Sequence, residues 1–485
     1  MSYSLPQLHL VLDPRHGELV RTFVRETSMS EGASAEFATA AARVVERAWE
    51  QLCDAVTSTE RADIRTRLTS SGIETCARLR GMSRFPGLVP LLDGLSGDAI
   101  DVSWREWGID GWELTVLRHN EAAQEAHLLA MGAAPADAAP SAASRPKEFV
   151  TDLLQPSDAA SVGRCFLMVY GHAYVHPEVF SPRRLLAEIE RGEVISVVTR
   201  DSGGEVVGHL SLRRGPSPVV AEWGEAVVLP EYRGHGLLER MTDRLFEEAP
   251  RHNIKGIYAE PLTVHTFTQH SDERARMPVC AALLGVNPER FHPKNMPFPT
   301  AGQRQSYLRT FRFLIAPEPR VVAAPVRYRD ILSSIYQAQG IPFEFVDSVP
   351  PAAERSRISV HSNVRGFGTI TFDEIGCNVE LELARSVNDA LAFGTKTLVL
   401  SCPVDAVGLG MLVEAARAAG FFFCGIGPAF AERTDVLLMQ KLMDPLDVGK
   451  LQLLTVLSKQ LVAFIDSDRE SLTAKIQVAA GQNSG

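Results

Sequence analysis

The stretch Glu222-Trp223-Gly224-Glu225-Ala226-Val227-Val228-Leu229-Pro230-Glu231-Tyr232-Arg233-Gly234-His235-Gly236-Leu237-Leu238 decides how the middle of this chain folds. Its first half reads as a strand that Pro230 ends, because proline cannot donate to a ladder. Arg233-Gly234-His235-Gly236 is then a tight cationic turn, and a helix is expected from Leu237 to about Ala249. Glycines at 234 and 236 let a ligand approach the backbone closely. The helix start adds unpaired N–H groups and the positive end of a dipole. Together these features form a cradle for phosphate. No Gly-Lys-Ser/Thr follows, which excludes a Walker A loop, and the third glycine of a dinucleotide fingerprint is missing.

Working outward, helical stretches are expected around 157–171 and 181–191. Val194–Arg200 and Val206–Arg213 read as a hairpin joined by Asp201-Ser202-Gly203-Gly204, and Gly256–Pro261 as a strand after the helix. With this order around it, the loop resembles motif A of the GNAT acetyltransferase superfamily, Arg/Gln-x-x-Gly-x-Gly/Ala. Arg233, Gly236 and the flanking Val228, Pro230 and Tyr232 match; Leu238 stands where Gly or Ala is usual. The resemblance covers about residues 148–300. It implies acetyl-CoA as co-substrate, its pyrophosphate on Arg233, Gly234, His235, Gly236, Leu237 and Leu238. Its pantetheine would lie along the strand through Ala226, Val227 and Val228, where that strand splays from 256–261. It also implies direct attack of an amine on the thioester, with a base for the ammonium proton and a donor for the oxyanion and thiolate. Glu222 lies where many members place the general-base Glu. Glu225, three residues on, is expected on the opposite side of the strand. The tyrosine that often serves as general acid is missing after Tyr258; His265 is the alternative, or else a structural histidine.

The flanks divide the chain further. Residues 131–147, Met-Gly-Ala-Ala-Pro-Ala-Asp-Ala-Ala-Pro-Ser-Ala-Ala-Ser-Arg-Pro-Lys, are too small and Pro-punctuated to offset their ordering entropy and read as a linker. A softer boundary falls near 315–325. The expected architecture is therefore α/β (α+β) in three domains: an α/β sandwich over 1–130, an acetyltransferase domain over 148–315 and a further domain over 316–470, with a frayed tail over 471–485. Segment 1–130 opens with a strand at 8–12 and helices near 16–29 and 34–56; strands are expected at 73–79 and 112–117. It resembles the histidine-kinase-like ATPase fold of anti-sigma-factor serine kinases, through Glu50 and Asp54 at Glu-x-x-x-Asn spacing. The adenine-binding Asp of that family falls at Leu79-Arg80-Gly81-Met82, which has none, so a degenerate shell without ATP is expected; an unrelated α/β domain is the alternative. Segment 316–470 has a GNAT-like rhythm but no phosphate loop near 380–396, and reads as a degenerate second copy or an independent α+β domain.

A net charge of -10 speaks against non-specific nucleic-acid binding. The seven cysteines are scattered without metal-ligand spacing, so no metal site is expected. No apolar run approaches the ~20 residues of a membrane span, and the first residues carry no leader pattern, so a cytoplasmic protein is expected. Two functions remain open: an N-acetyltransferase acting on an amine of a small molecule or protein, or an acyl-CoA-sensing regulator whose ATPase-like domain binds a partner protein. An active kinase in 1–130 is a third.

Overall fold

A computed structural model describes residues 7–11, 14–30, 33–55, 61–69, 72–80, 100–106, 111–119, 148–170, 174, 176–289, 302–363, 366–392, 394–431 and 433–482. The linker expected at 131–147 lies outside them, as do Gly81 and Met82. The chain divides into two compact units. The first holds Met1–Met131 with Ser359–Thr369 and Arg385–Lys396; the second holds Gly132–Ile358, Ile370–Ala384 and Thr397–Gly485.

In the first unit, strand β1 (Gln7–Val11) leads to helices α1 (Gly17–Ser30) and α2 (Ala35–Ala55). Strands β2 (Arg61–Thr69), β3 (Gly72–Arg80), β4 (Ile100–Glu106) and β5 (Gly111–His119) follow. They form an antiparallel sheet in the order β1-β2-β3-β5-β4. Ala41, Val45, Ala48 and Trp49 of α2 recur at helical spacing and pack with Val20 and Val24 of α1 and Ile64 and Ile73 of the sheet. Glu50 lies on the exposed side of α2, and Arg80 ends β3.

The second unit begins with β6 (Val150–Leu153), α3 (Ala159–Tyr170), α4 (Pro182–Glu190), β7 (Val194–Arg200), β8 (Val206–Arg214) and β9 (Val220–Val228). Then come α5 (Leu237–Glu248), β10 (Gly256–Ala259), α6 (Phe267–Arg274), β11 (Val279–Asn287) and β12 (Gln305–Phe313). A small parallel pair, β13 (Arg320–Val322) and β14 (Phe343–Phe345), brackets α7 (Val326–Gln339). Later in the chain lie β15 (Arg357–Ser362), β16 (Phe367–Glu374) and α8 (Val379–Ala392), each shared between the two units, then, in the second unit, β17 (Thr397–Pro403), α9 (Leu409–Ala418), β18 (Phe422–Ala431), β19 (Thr434–Leu442) and α10 (Val456–Gln482). The stretch near 380–396, where the sequence has no phosphate loop, is largely helix α8. The tail expected to fray continues α10, whose Ala474-Lys475-Ile476-Gln477 run suits a helix.

Ten strands wholly inside this unit run in the order β17-β19-β18-β11-β12-β10-β9-β8-β7-β6. Helix α5 presents Met241 and Leu245 at i, i+4 to one face, where they meet Leu210, Leu212, Trp223 and Ile257, while Leu237 at its start joins the cluster on the α3 side. Helix α3 covers the other face through Val162, Phe166 and Val169, which pack with Val198, Val207 and Val227. The order β10-β12-β11, with α6 between β10 and β11, recurs as β17-β19-β18, with α9 between β17 and β18. The inner edges meet where Ala281 of β11 stands opposite Gly425 of β18.

Candidate active site

Strand β9 pairs with β8 along most of its length but with β10 only at Val220, Ala221 and Glu222, opposite Gly256, Ile257 and Tyr258. Past Glu222 this parallel ladder ends, and residues 223–228 keep only their β8 partners within the sheet. Ala226 and Val228 turn their side chains to the core on the α5 side, and Val227 turns to the α3 side. The hydroxyl of Tyr170, at the end of α3, donates to the Ala226 carbonyl at 2.7 Å.

A bulge interrupts β9. Ser211 pairs with Gly224 and His209 with Val227, so two residues of β9 oppose one of β8. Glu225 sits in the bulge with φ +51°. Arg213 stands directly opposite Glu222 in the ladder, which puts those two side chains on one face. The same Arg213 donates from Nε to Glu225 at 2.8 Å. The expectation that Glu225 faces away from Glu222 is therefore wrong: the extra residue reverses the alternation, and both carboxylates lie on the α3 side.

Their surroundings separate them chemically. Glu225 is fully enclosed, yet Arg213 and the Ser211 hydroxyl, 2.6 Å away, hold it below the usual carboxylate range against the penalty of burial. Beneath it, His209 Nδ1 donates to the Glu225 carbonyl at 2.8 Å and Nε2 accepts from Ser196 at 2.6 Å. Burial pushes His209 down, consistent with this neutral tautomer. Glu222 has no such cation. Burial first, then repulsion from Glu260 and Glu225, pushes its carboxyl up to about 7. Its Oε2 accepts from the Tyr258 hydroxyl at 3.5 Å. The nearby cation, Arg309 of β12, is committed to Glu260, with Nε 3.0 Å from the carboxylate.

The loop after β9 is exposed from Arg233 to Gly236. Tyr232 anchors it, packing into the core with its hydroxyl 3.2 Å from Asp201. Arg233 spends only Nε internally, on the Val228 carbonyl at 3.2 Å. Gly234 and Gly236 adopt φ +81° and +67°, which glycine tolerates, and a Cβ on Gly234 would meet open space. Helix α5 starts at Leu237 with no side-chain cap, so its first N–H groups face the loop's open side. His235 lies against Phe149 at 5.4 Å. Leu237 is buried, and Leu238 packs toward the α5-side core.

His265 lies apart from this arrangement. It sits in the turn after β10, its ring 5.3 Å from Phe267 and its carbonyl accepting from Gln269 at 3.0 Å. Burial pushes its imidazole down, and it is not among the groups that act most strongly on Glu222. The sequence did not single out Tyr170, Glu260 or Arg309. Only the pairing of β10 with β12 brings Arg309 beside the base, and no local pattern announces it.

Residues 164–271 match the acetyltransferase (GNAT) family. They form a GNAT acetyltransferase domain. Its strand β9, loop and helix α5 fall inside the matched range. Among solved structures, mutant forms of a spermidine/spermine N-acetyltransferase from Vibrio cholerae are 14% identical, covering 34% of this chain and 94% of that chain, with a TM-score of 0.27. A ribosomal-protein-S5-alanine acetyltransferase from Vibrio fischeri is 13% identical over 35% of this chain and 95% of that one, with a TM-score of 0.27. An N-acetyltransferase from Staphylococcus aureus is 14% identical over 35% and 100%, with a TM-score of 0.28. No curated protein matches the chain. Among the described residues, no cluster of three or more His, Cys, Asp or Glu is placed to hold a metal, and no helix is long and apolar enough to cross a membrane.

Proposed function

We propose that the chain is an acetyl-CoA-dependent N-acetyltransferase in which Glu222 is the general base. The observation that carries this reading is the position of Glu222: its carboxyl, raised to about 7, lies where β9 and β10 part, and the same strand leads into the uncapped start of α5. The loop fits a pyrophosphate. Positive-φ glycines, the Arg233 guanidinium and free helix N–H groups converge on one open side. Acetyl-CoA supplies the activated acyl group. The chain's residues do the rest: residues 223–228 offer backbone partners to the pantetheine arm, and Glu222 takes the proton from the acceptor ammonium. The freed amine forms the C–N bond as the C–S bond breaks, the thiolate leaves, and the nitrogen's excess proton passes to it to give the amide and the free thiol.

The acceptor side suits a cationic amine. Glu222 and Glu225 share it with Tyr174, whose phenol burial and the neighbouring Tyr170 push well above its usual range. Tyr170 and Tyr174 rings lie 4.9 Å apart and both pack against Phe166, which fixes them beside the carboxylates. In the same reading, 316–470 is a second GNAT-like copy without a phosphate loop, supported by the repeated strand order.

Turnover of acetyl-CoA with a panel of primary amines, followed by thiol release, tests the proposal. Wild type is expected to release thiol, and Glu222→Gln to lose release while still binding acetyl-CoA. Binding without release from wild type would leave an acyl-CoA sensor instead.

A further inference from the structure

The tip of the β18–β19 hairpin, in the C-terminal half of the second unit, reaches Tyr258 and Arg309, two neighbours of the candidate base. Its backbone is held in an unusual shape: Ala429 has φ +54°, a conformation that costs a non-glycine residue energy. Both polar groups of Ala429 are tied to side chains. Its N–H donates to Asp435 Oδ1 at 2.7 Å, and its carbonyl accepts from Ser217 at 2.6 Å. Asp435 is itself fixed by Arg320, with Nε at 3.1 Å. This clamp turns Phe430 onto the site. Its ring meets Tyr258 edge-on at 5.0 Å, and the Arg309 guanidinium lies 4.9 Å from its centre and 5.6 Å from that of Tyr258.

We propose that the C-terminal half acts on Glu222 through Phe430, a positioning residue that keeps Arg309 on Glu260, Tyr258 on Glu222 and water off both. The physical reason is competition. Glu222 faces Glu225 on its own strand, Arg213 from β8, Tyr258 and Glu260 from β10 and its end, and Arg309 from β12. Among these charges Arg309 is held by Glu260 and by two aromatic faces, one of which is that of Phe430. With Phe430 gone, Arg309 gains room to turn toward Glu222, and water enters beside it. Both changes favour the carboxylate. The second half then has a task that needs no coenzyme of its own. This inference rests on Glu222 being the base only for its catalytic consequence.

The test is a carboxyl-¹³C NMR titration of the full-length protein labelled on glutamate, with the Glu222 signal assigned by its loss in Glu222→Gln. Phe430→Ala is expected to lower the Glu222 midpoint by about one pH unit, and Phe430→Tyr to restore it. The acid limb of the turnover profile should move by the same amount. An unchanged midpoint in folded Phe430→Ala would overturn the proposal. Should that variant not fold, Ser217→Ala removes one tie of the clamp: a smaller fall supports the proposal, and no fall overturns it. If Glu222→Gln keeps full turnover while Phe430→Ala still moves the midpoint, the base assignment fails and the positioning role stands.

Discussion

Glu222 and Glu225 present their carboxylates to the same face of β9, because Glu225 lies in the bulge itself, where the alternation of the strand breaks. Arg213 joins the two, standing opposite Glu222 in the ladder and bonded to Glu225. Arg213 holds the Glu225 carboxyl low, while burial first, then the charges of Glu260 and Glu225, push that of Glu222 up to about 7. Pairs of acids driven apart in this way are what acid–base chemistry at neutral pH requires.

The pH dependence of turnover follows. Glu222 must be ionised to accept a proton, and its carboxyl is raised to about 7. The rate kcat/KM should rise about tenfold per pH unit below that value and level off above it. Glu222→Gln should lower kcat by about 10²- to 10⁴-fold and abolish this limb. A flat profile from pH 5.5 to 8 in wild type would contradict the assignment.

Glu225 is a structural acid with a functional effect. Replacing it by Gln leaves Arg213 buried with Glu188 as its remaining partner, 3.1 Å away. Breaking a buried pair of this kind costs on the order of 3 kcal/mol, read from urea denaturation at pH 7. Because the Glu225 carboxyl is depressed in the folded state, its contribution is present above about pH 4.5 and is lost as pH falls through the lower folded value. The gap between wild type and Glu225→Gln should therefore narrow in acid. Glu225→Gln should also move the acid limb of turnover to lower pH, since Glu225 raises Glu222.

Asp272 behaves oppositely. It is buried at the end of α6, accepts from Thr310 at 2.8 Å, and has its carboxyl pushed up to about 7 by burial. A raised acid stabilises the fold fully below its unfolded value near 3.8, and that contribution is lost as pH rises through 7. Asp272→Asn, which stays neutral, should flatten the fall in melting temperature between pH 4 and 7. At pH 8 it should be the more stable protein, by on the order of a few kcal/mol.

Much of this was legible in the chain itself. The run from Glu222 to Leu238 showed strand, proline stop, glycine loop and helix start, because each depends on neighbouring residues alone. Strands β2, β4, β11 and β12 were not anticipated, and the direction of Glu225 was misjudged. A bulge cannot be read from period-two alternation, since one inserted residue reverses every later side chain. Arg309 comes beside Glu222, and Phe430 beside Tyr258 and Arg309, only through pairings far apart in sequence. Leu238, a departure from the family pattern, packs toward the core beside α5 and leaves the loop's open side free.

The most direct test of the central claim is calorimetric titration of acetyl-CoA into wild type and into Arg233→Glu/Gly236→Glu. The double substitution puts carboxylates where phosphates should sit. Saturable binding to wild type that disappears in the double variant is the predicted result. Absence of binding to wild type, or equal binding by both proteins, would contradict the account.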